Sequence, residues 1–401
     1  MPPLIGMARW RVRTWAAAVA TGVLVVVVAA ASADAAAVAE EKLMVDMTLV
    51  PGAASTGAVC LDGSPPAYHL HQGSGAGAGG WLLQFEGGGW CNDARSCAGR
   101  ARTPLGSSSL MNKLEVFSGL LSNDPAMNPD FYNWSIVKIR YCDGGSFTGD
   151  SEFRNGSSVI YMRGQRIWDA IITDLFLKGL AKAEKVLFSG CSAGGLATFF
   201  HCDDLEERLR GVATGLASFC RDDISGHGTV RSFFNGGVQK NLNKNCSDST
   251  VKSYQCFFPQ YALRSIRAPY FILNSAYDVY QFFQNFVPPS SDPRGQWSRC
   301  KAALSACSSS QIATLQGLRS AMLVALKPFE GEQKVGMFIN SCFSHCQSES
   351  HDTWFAPNSP RLHDKTIAKL VGDWYFERGA AQEVDCPYPC DSTCHNIIPF
   401  N

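Results

Sequence analysis

The sequence carries no excess of either charge sign. Its 35 basic and 35 acidic residues give a formal net charge of zero. Loss of Arg9, Arg11 and Arg13 with an N-terminal targeting segment leaves 32 basic against 35 acidic groups. Domains that bind nucleic acid usually present a basic face. The composition therefore argues against a nucleic-acid partner.

Long apolar runs are also absent, except at the N-terminus. There, three arginines precede a largely apolar stretch over residues 16–31, and small residues follow it. This order is typical of a secretory signal peptide, which we place at residues 1–33 with cleavage between 33 and 37. The alternative is an uncleaved anchor, because residues 14–33 approach the ~20 residues that span a bilayer. With cleavage, we expect a secreted protein without a membrane segment.

The chain has no internal repeat and no long low-complexity linker that would divide it. Domains of α/β type often exceed the usual ~150 residues as one unit. We therefore expect a single catalytic domain over residues 34–401.

Cysteine, in contrast, is abundant: all 16 cysteines follow the signal segment. An even number in a secreted chain predicts disulfides formed in an oxidising compartment, with a connectivity that spacing alone does not reveal. A zinc site is the competing explanation for the C-terminal cysteines and the two histidines among them, but zinc modules usually pair two tight clusters. The residues concerned are Cys342, Cys346, Cys386, Cys390, Cys394, His345 and His395. We expect these cysteines to form disulfide bonds, and we expect neither a metal nor an organic cofactor.

Three N-x-[ST] sequons predict glycan sites in a secreted chain. They begin at Asn133, Asn155 and Asn245. The third has a cysteine at its middle position.

Apolar runs rich in β-forming residues alternate with helical patterns along the chain. The predicted strands lie at residues 81–85, 136–139, 185–189, 270–275 and 335–340, and amphipathic helices lie at residues 167–180 and 367–375. Alternation of this kind predicts an α/β fold whose sheet is mostly parallel and covered by helices. Ligands bind such sheets at the carboxyl ends of the strands.

The segment Gly190–Gly195 follows one strand and precedes a helical pattern. A G-x-S-x-G pattern in this setting forms a nucleophile elbow, where glycines avoid clashes across a tight turn. Ser192 is thus the predicted nucleophile, and an ordinary glycine-rich turn is the alternative.

Three glycines, Gly87–Gly89, follow the strand at residues 81–85. Bare backbone there predicts an oxyanion site made by Gly88, Gly89 and the N–H of Ala193. A phosphate-binding loop would need the lysine and spacing of a P-loop, which are missing.

The last two predicted strands are followed by an acid and a base. Asp278 and His345 follow Ser192 in the order of α/β-hydrolase triads, each just after a strand. A serine needs an imidazole to accept its proton and a carboxylate to orient that imidazole. His351 and His363 are alternatives for the base, and Asp143 is an alternative for the acid.

Several of these segments together resemble the plant pectin acetylesterases, a family that also includes the animal carboxylesterase Notum. They lie at residues 85–92, 128–134, 140–144, 164–166, 190–195, 276–278 and 341–347. The resemblance spans about residues 61 to 389. Cys191 suits the plant branch.

The resemblance implies an α/β-hydrolase fold and the triad Ser192, Asp278 and His345. It also implies removal of acetyl groups from cell-wall pectin, a polysaccharide partner, and a location in the cell wall or apoplast. Two alternatives stay open: the same chemistry on acetylated xylan or a lipid acyl ester, and an inactive disulfide-rich wall-binding protein. The oligomeric state is not predicted.

Overall fold

The computed structural model describes residues 42–210, 217–223, 238–248 and 252–396. The predicted signal peptide at residues 1–33 and its cleavage sites lie outside the described residues. Within the described part, no helix combines the length and apolar character needed to cross a bilayer.

The central feature is a ten-stranded sheet, and two small hairpins accompany it. The strands are β1 (Leu43–Leu49), β2 (Ala67–His71), β3 (Gly80–Phe85), β4 (Leu114–Phe117), β5 (Ser135–Ile139), β6 (Ser151–Asn155), β7 (Ser158–Met162), β8 (Lys185–Cys191), β9 (Ala217–Asp223), β10 (Tyr270–Ser275), β11 (Val335–Asn340), β12 (Arg361–Leu362), β13 (Lys365–Thr366) and β14 (Gln382–Val384). The sheet order is β14-β11-β10-β9-β8-β3-β5-β2-β1-β4. The strands from β14 to β5 are parallel, and β2, β1 and β4 continue the sheet in antiparallel fashion.

All five predicted strands are present, as β3, β5, β8, β10 and β11. Their apolar runs become strands buried on both faces, and every residue of β3, β10 and β11 is buried. This is the composition that helix-covered parallel sheets require. The expectation of a mostly parallel sheet is confirmed.

Helices cover both faces of the sheet. They are α1 (Ala94–Arg100), α2 (Gly164–Leu177), α3 (Ala193–Arg210), α4 (Lys244–Ser247), α5 (Pro259–Ala262), α6 (Ser298–Ala302), α7 (Ser309–Leu326), α8 (His351–Trp354) and α9 (Ile367–Tyr375). Apolar residues of α2 and α3 pack into one core cluster, and those of α9 pack into another. The first predicted helix ends earlier than its pattern suggested, since Gly179 adopts a left-handed conformation with φ of 119° before Leu180.

Disulfides connect segments throughout the described residues, which contain no free cysteine. The pairs are Cys60–Cys142, Cys91–Cys97, Cys191–Cys346, Cys246–Cys256, Cys300–Cys307, Cys342–Cys394 and Cys386–Cys390, and Cys202 is also disulfide-bonded. The cysteines considered for zinc are therefore consumed by sulfur–sulfur bonds. Thiolates are the form that binds zinc, so the alternative of a metal site loses its ligands.

Candidate active site

Ser192 lies in a sharp turn between β8 and α3. Its φ of 58° falls in the left-handed region, which non-glycine residues rarely adopt and which is often found at functional sites. A Cβ on Gly190 would clash with the backbone of Gly194, and one on Gly194 would clash with the backbone of Phe85. The small residues on either side of the serine thus have the steric purpose that the sequence predicted.

Asp278 and His345 meet at the same edge of the sheet. The Nδ1 atom of His345 lies 2.7 Å from Oδ2 of Asp278. The carboxylate is 1% exposed, and its Oδ1 accepts a hydrogen bond of 2.8 Å from the N–H of Gln281. A carboxylate at Nδ1 favours the tautomer in which Nδ1 donates and Nε2 accepts a proton. The pair is arranged as a base and its orienting acid.

The glycine loop after β3 lies directly against the serine turn. A Cβ on Gly87 would lie 2.6 Å from the carbonyl oxygen of Cys191 and 3.1 Å from Cβ of Ser192. Gly88 and Gly89 have φ values of 138° and 66°, which favour glycine. Only bare backbone can approach the serine this closely.

The carbonyls of the glycine loop are held by two side chains that the sequence analysis did not single out. Arg100 Nη1 donates to the carbonyl of Gly88 at 2.8 Å, and Tyr141 Oη donates to that of Gly89 at 2.8 Å. In a trans peptide the N–H points opposite to the C=O. The N–H groups of Gly89 and Trp90 are therefore directed away from Arg100 and Tyr141.

Ala193 is the first residue of α3 and is buried. The first N–H groups of a helix have no partner within the helix and carry its positive dipole. The helix thus begins with N–H groups suited to a negative charge beside Ser192.

A disulfide joins the turn to the histidine loop. Cys191 directly precedes Ser192, Cys346 directly follows His345, and the two are bonded with Cα atoms 5.4 Å apart. Cys342, also in this loop, is bonded to Cys394. The expectation of disulfides among these cysteines is confirmed, with partners that spacing did not reveal.

A charged network lies behind the glycine loop. Glu86 Oε2 accepts hydrogen bonds from Arg140 Nε at 3.0 Å and from the N–H of Tyr141 at 2.8 Å. Arg140 also pairs with Glu115. Near this network, burial raises the pKa of the Glu349 carboxyl. Glu86 thus connects the segments that follow β3 and β5 beside the glycine loop.

The alternative candidates lie in other surroundings. His363 is exposed and contacts Glu383 at 2.6 Å, and His351 begins the short helix α8. Asp143 is buried and accepts hydrogen bonds from the N–H groups of Gly145 and Phe147, and burial raises its pKa to about 6. The structure brings Asp278, rather than Asp143, to His345.

The three sequons differ in exposure. Asn155 ends β6 just before the hairpin turn and Asn245 lies in α4, both with exposed side chains. Asn133 is half-buried, and its side chain packs against Gly77. Asn155 and Asn245 are thus the more accessible of the three.

Comparisons with known proteins agree with this geometry. A family model described as Pectinacetylesterase matches residues 38–395. Pectin acetylesterase 5 of Arabidopsis thaliana is 44% identical over 367 residues, which cover 88% of this chain and 86% of that protein. The human palmitoleoyl-protein carboxylesterase Notum is 27% identical over 265 residues, covering 60% of this chain and 52% of its own.

A solved structure of the Wnt deacylase Notum from Drosophila superposes with a TM-score of 0.72 at 19% identity. The match covers 88% of this chain and all of that one. At this identity the likeness concerns the fold, and it confirms the predicted α/β-hydrolase architecture.

Proposed function

The chain belongs to the pectinacetylesterase family and is a carboxylic ester hydrolase, and we propose that it removes O-acetyl groups from cell-wall pectin. The observation that carries the proposal is the 2.7 Å contact between His345 and Asp278 at the sheet edge where Ser192 follows β8. Ser192 is the nucleophile, His345 is the base and Asp278 orients the imidazole.

Acylation begins when Ser192 Oγ attacks the acetyl carbonyl and His345 Nε2 accepts the hydroxyl proton. The carbonyl oxygen becomes negatively charged, and N–H groups of Gly88, Gly89 and Ala193 stabilise it. Asp278 stabilises the imidazolium without taking its proton. Collapse of the intermediate breaks the ester bond, and His345 returns the proton to the departing sugar oxygen.

Water completes the cycle. His345 removes a proton from water as its oxygen attacks the acetyl carbonyl on Ser192. The second intermediate releases acetate, and the proton on His345 returns to Oγ of the serine. No cofactor enters either step.

Binding of pectin must rely on local positive charges, because the chain has little net charge to attract a polyanion. Arg163 and Arg166 both pair with Asp150. Arg154 is 64% exposed in its side chain and pairs with Glu152. Solvent-exposed pairs of this kind are weak, so Arg154 is the most available of these for a pectin carboxylate.

We also propose that the protein is secreted into the cell wall or apoplast. It would carry glycans on Asn155 and Asn245, and Asn133 is a less accessible acceptor. This proposal is supported by the predicted signal peptide and by the wealth of disulfides, which form in oxidising compartments. The same chemistry on acetylated xylan or a lipid ester is the alternative.

The first prediction concerns the nucleophile. Acetate release from acetylated pectin should fall by several orders of magnitude in Ser192→Ala, because loss of a triad member removes most of the chemical rate. Labelling by a fluorophosphonate probe should disappear in the same variant. Equal acetate release from wild type and Ser192→Ala would refute the assignment of Ser192 as the nucleophile. A wild-type protein that neither reacts with the probe nor releases acetate would favour an inactive wall-binding protein.

Substitutions of the base and the acid test the other two members of the triad. His345→Gln and Asp278→Asn should lose activity, whereas His363→Gln, at an exposed histidine, should retain it.

A series of p-nitrophenyl esters of increasing acyl chain length then distinguishes an acetylesterase from a lipid esterase. Preference for acyl chains of eight or more carbons would reject the acetylesterase assignment.

A further inference from the structure

Tyr280 lies two residues after Asp278 and covers the imidazole of His345. The two rings are stacked, with centroids 5.4 Å apart and planes inclined by 21°. Nothing in the pattern around Asp278 singled this tyrosine out. Its position relative to the base depends on how the chain turns after β10.

The hydroxyl end of the same side chain reaches the glycine loop. A Cβ on Gly89 would lie 2.7 Å from Tyr280 Oη, so the hydroxyl occupies space that any other residue at position 89 would fill. One rigid side chain therefore spans the distance from the base to the oxyanion loop. Ser192, which lies against this loop, is only 5% exposed.

The phenol is held as a neutral group. Burial raises the pKa of Tyr280, Arg100 opposes the rise, and Asp278 adds to it. The hydroxyl thus remains protonated at working pH and presents a rigid aromatic wall with a polar tip.

We propose that Tyr280 is the specificity-determining residue that restricts the acyl group of the substrate to a short chain such as acetyl. This inference rests on the proposed function. In the tetrahedral intermediate of acylation the oxyanion lies at the N–H groups of the glycine loop and Ala193, and the departing alcohol lies toward His345. Because Tyr280 fills space between these two sides, a longer acyl chain would have to displace its ring.

Extra methylene groups in a packed site force side chains and backbone to shift, whereas an acetyl group needs little room. The limit on acyl chain length comes from the aromatic ring of Tyr280 rather than from its hydroxyl. The two contributions can therefore be separated by substitution.

The experiment measures kcat/KM for p-nitrophenyl acetate, butyrate and octanoate in each variant. Tyr280→Phe keeps the ring and should preserve the wild-type preference for acetate within about threefold. Tyr280→Ala removes the ring and should raise the octanoate-to-acetate ratio at least tenfold. Tyr261→Ala is the matched control, because Tyr261 is an exposed tyrosine of α5.

The ratio is taken on one enzyme preparation, so a loss of folded protein alone does not move it. Tyr280→Val serves if the alanine variant does not fold, and it should shift the ratio in the same direction. An unchanged ratio in the folded small-residue variant would overturn the inference while leaving the esterase intact. A wild type without Ser192-dependent hydrolysis of any ester would instead refute the proposed function, and a wild type that prefers octanoate would refute both.

Discussion

Arg100 shows how one side chain can prepare a reaction that it does not touch. Its Nε donates to the carbonyl of Leu105 and its Nη1 donates to that of Gly88. Its Nη2 is buried without a hydrogen-bond partner among the described residues, and none of their carboxylates lies within ion-pair distance of the guanidinium. The cation rests over the ring of Tyr141 at 4.8 Å. Its positive charge therefore acts on the glycine loop without a direct ion-pair partner among the described residues, although Asp143 interacts with it electrostatically.

The carbonyl of Gly88 and the N–H of Gly89 belong to one peptide group. A charge-assisted hydrogen bond to that carbonyl polarises the peptide and makes its N–H a stronger donor. The gain is largest when a full negative charge develops nearby, as in the transition state of ester hydrolysis.

We predict that Arg100→Gln lowers kcat for acetate release by about 10- to 100-fold, the range expected for weakening one oxyanion donor, with a smaller change in KM. Arg100→Lys should lie between the two, because it keeps the charge and loses the fork geometry. Steady-state kinetics measure both, and exposed Arg102→Gln is the matched control. A large rise in KM at constant kcat would contradict this role.

At the residue scale, the sequence predicted the members of the site that follow strands. Ser192, Asp278 and His345 each stand directly after an apolar run, and the sheet brings such ends together. Arg100 and Tyr280 could not be found in this way, because they come from α1 and from the loop after β10. Their contacts depend on loop paths that carry no periodic pattern.

At the element scale, the Cys191–Cys346 disulfide connects the carboxyl end of β8 to the loop that follows the non-adjacent strand β11. β8 and β11 are separated in the sheet by β9 and β10, and adjacent strands lie ~4.8 Å apart. The loop after β11 must therefore cross two strands to bring His345 toward Ser192. The bond attaches the end of that loop to the serine turn.

Loss of this disulfide should lower kcat, whereas loss of a disulfide outside the site should lower only stability. We predict that Cys191→Ala/Cys346→Ala lowers kcat by about tenfold or more, since a misplacement of about 1 Å can cost 10²-fold. Fluorophosphonate labelling should slow in parallel. The control is Cys300→Ala/Cys307→Ala, a pair outside the site.

Both double variants should unfold at lower temperature than wild type, because each loses a cross-link. Only the first should lose kcat when assayed well below its melting temperature. Equal kcat in the two variants would mean that packing alone positions His345.

At the scale of the whole molecule, a buried histidine makes stability depend on pH. His201, in α3, stacks on Trp168 with centroids 4.7 Å apart, and its Nε2 lies 3.0 Å from the carbonyl oxygen of Phe147. Burial lowers its pKa to about 4, although Asp204 acts in the opposite direction. In the unfolded chain a histidine titrates near 6.5.

Between these two values the unfolded chain binds a proton that the folded protein does not. Acidification therefore favours unfolding. Relative to His201→Gln, we predict that wild type loses on the order of 3 kcal/mol in the free energy of unfolding between pH 7 and pH 4. Urea unfolding of both proteins across this range measures the difference. A difference that does not vary with pH would show that His201 takes up its proton in the folded state.

Five of the seven parallel strands were predicted, because buried strands are continuous apolar runs, whereas β9 and β14 were missed. The antiparallel strands β1, β2 and β4 were missed, since they are short or only partly buried and carry polar residues such as His69 and Asp46. Their pairing with distant strands supplies the burial that no local pattern shows.

The sequence by itself determined five of the parallel strands and the turn at Ser192, because apolar runs and glycine spacing act locally. It also placed an acid and a base after strands, where a parallel sheet gathers its ends. The tertiary structure alone decided which cysteines pair, that Arg100 contacts the glycine loop, and that Tyr280 covers His345. These contacts join loops far apart along the chain, and their geometry follows from how the loops pack over the sheet edge.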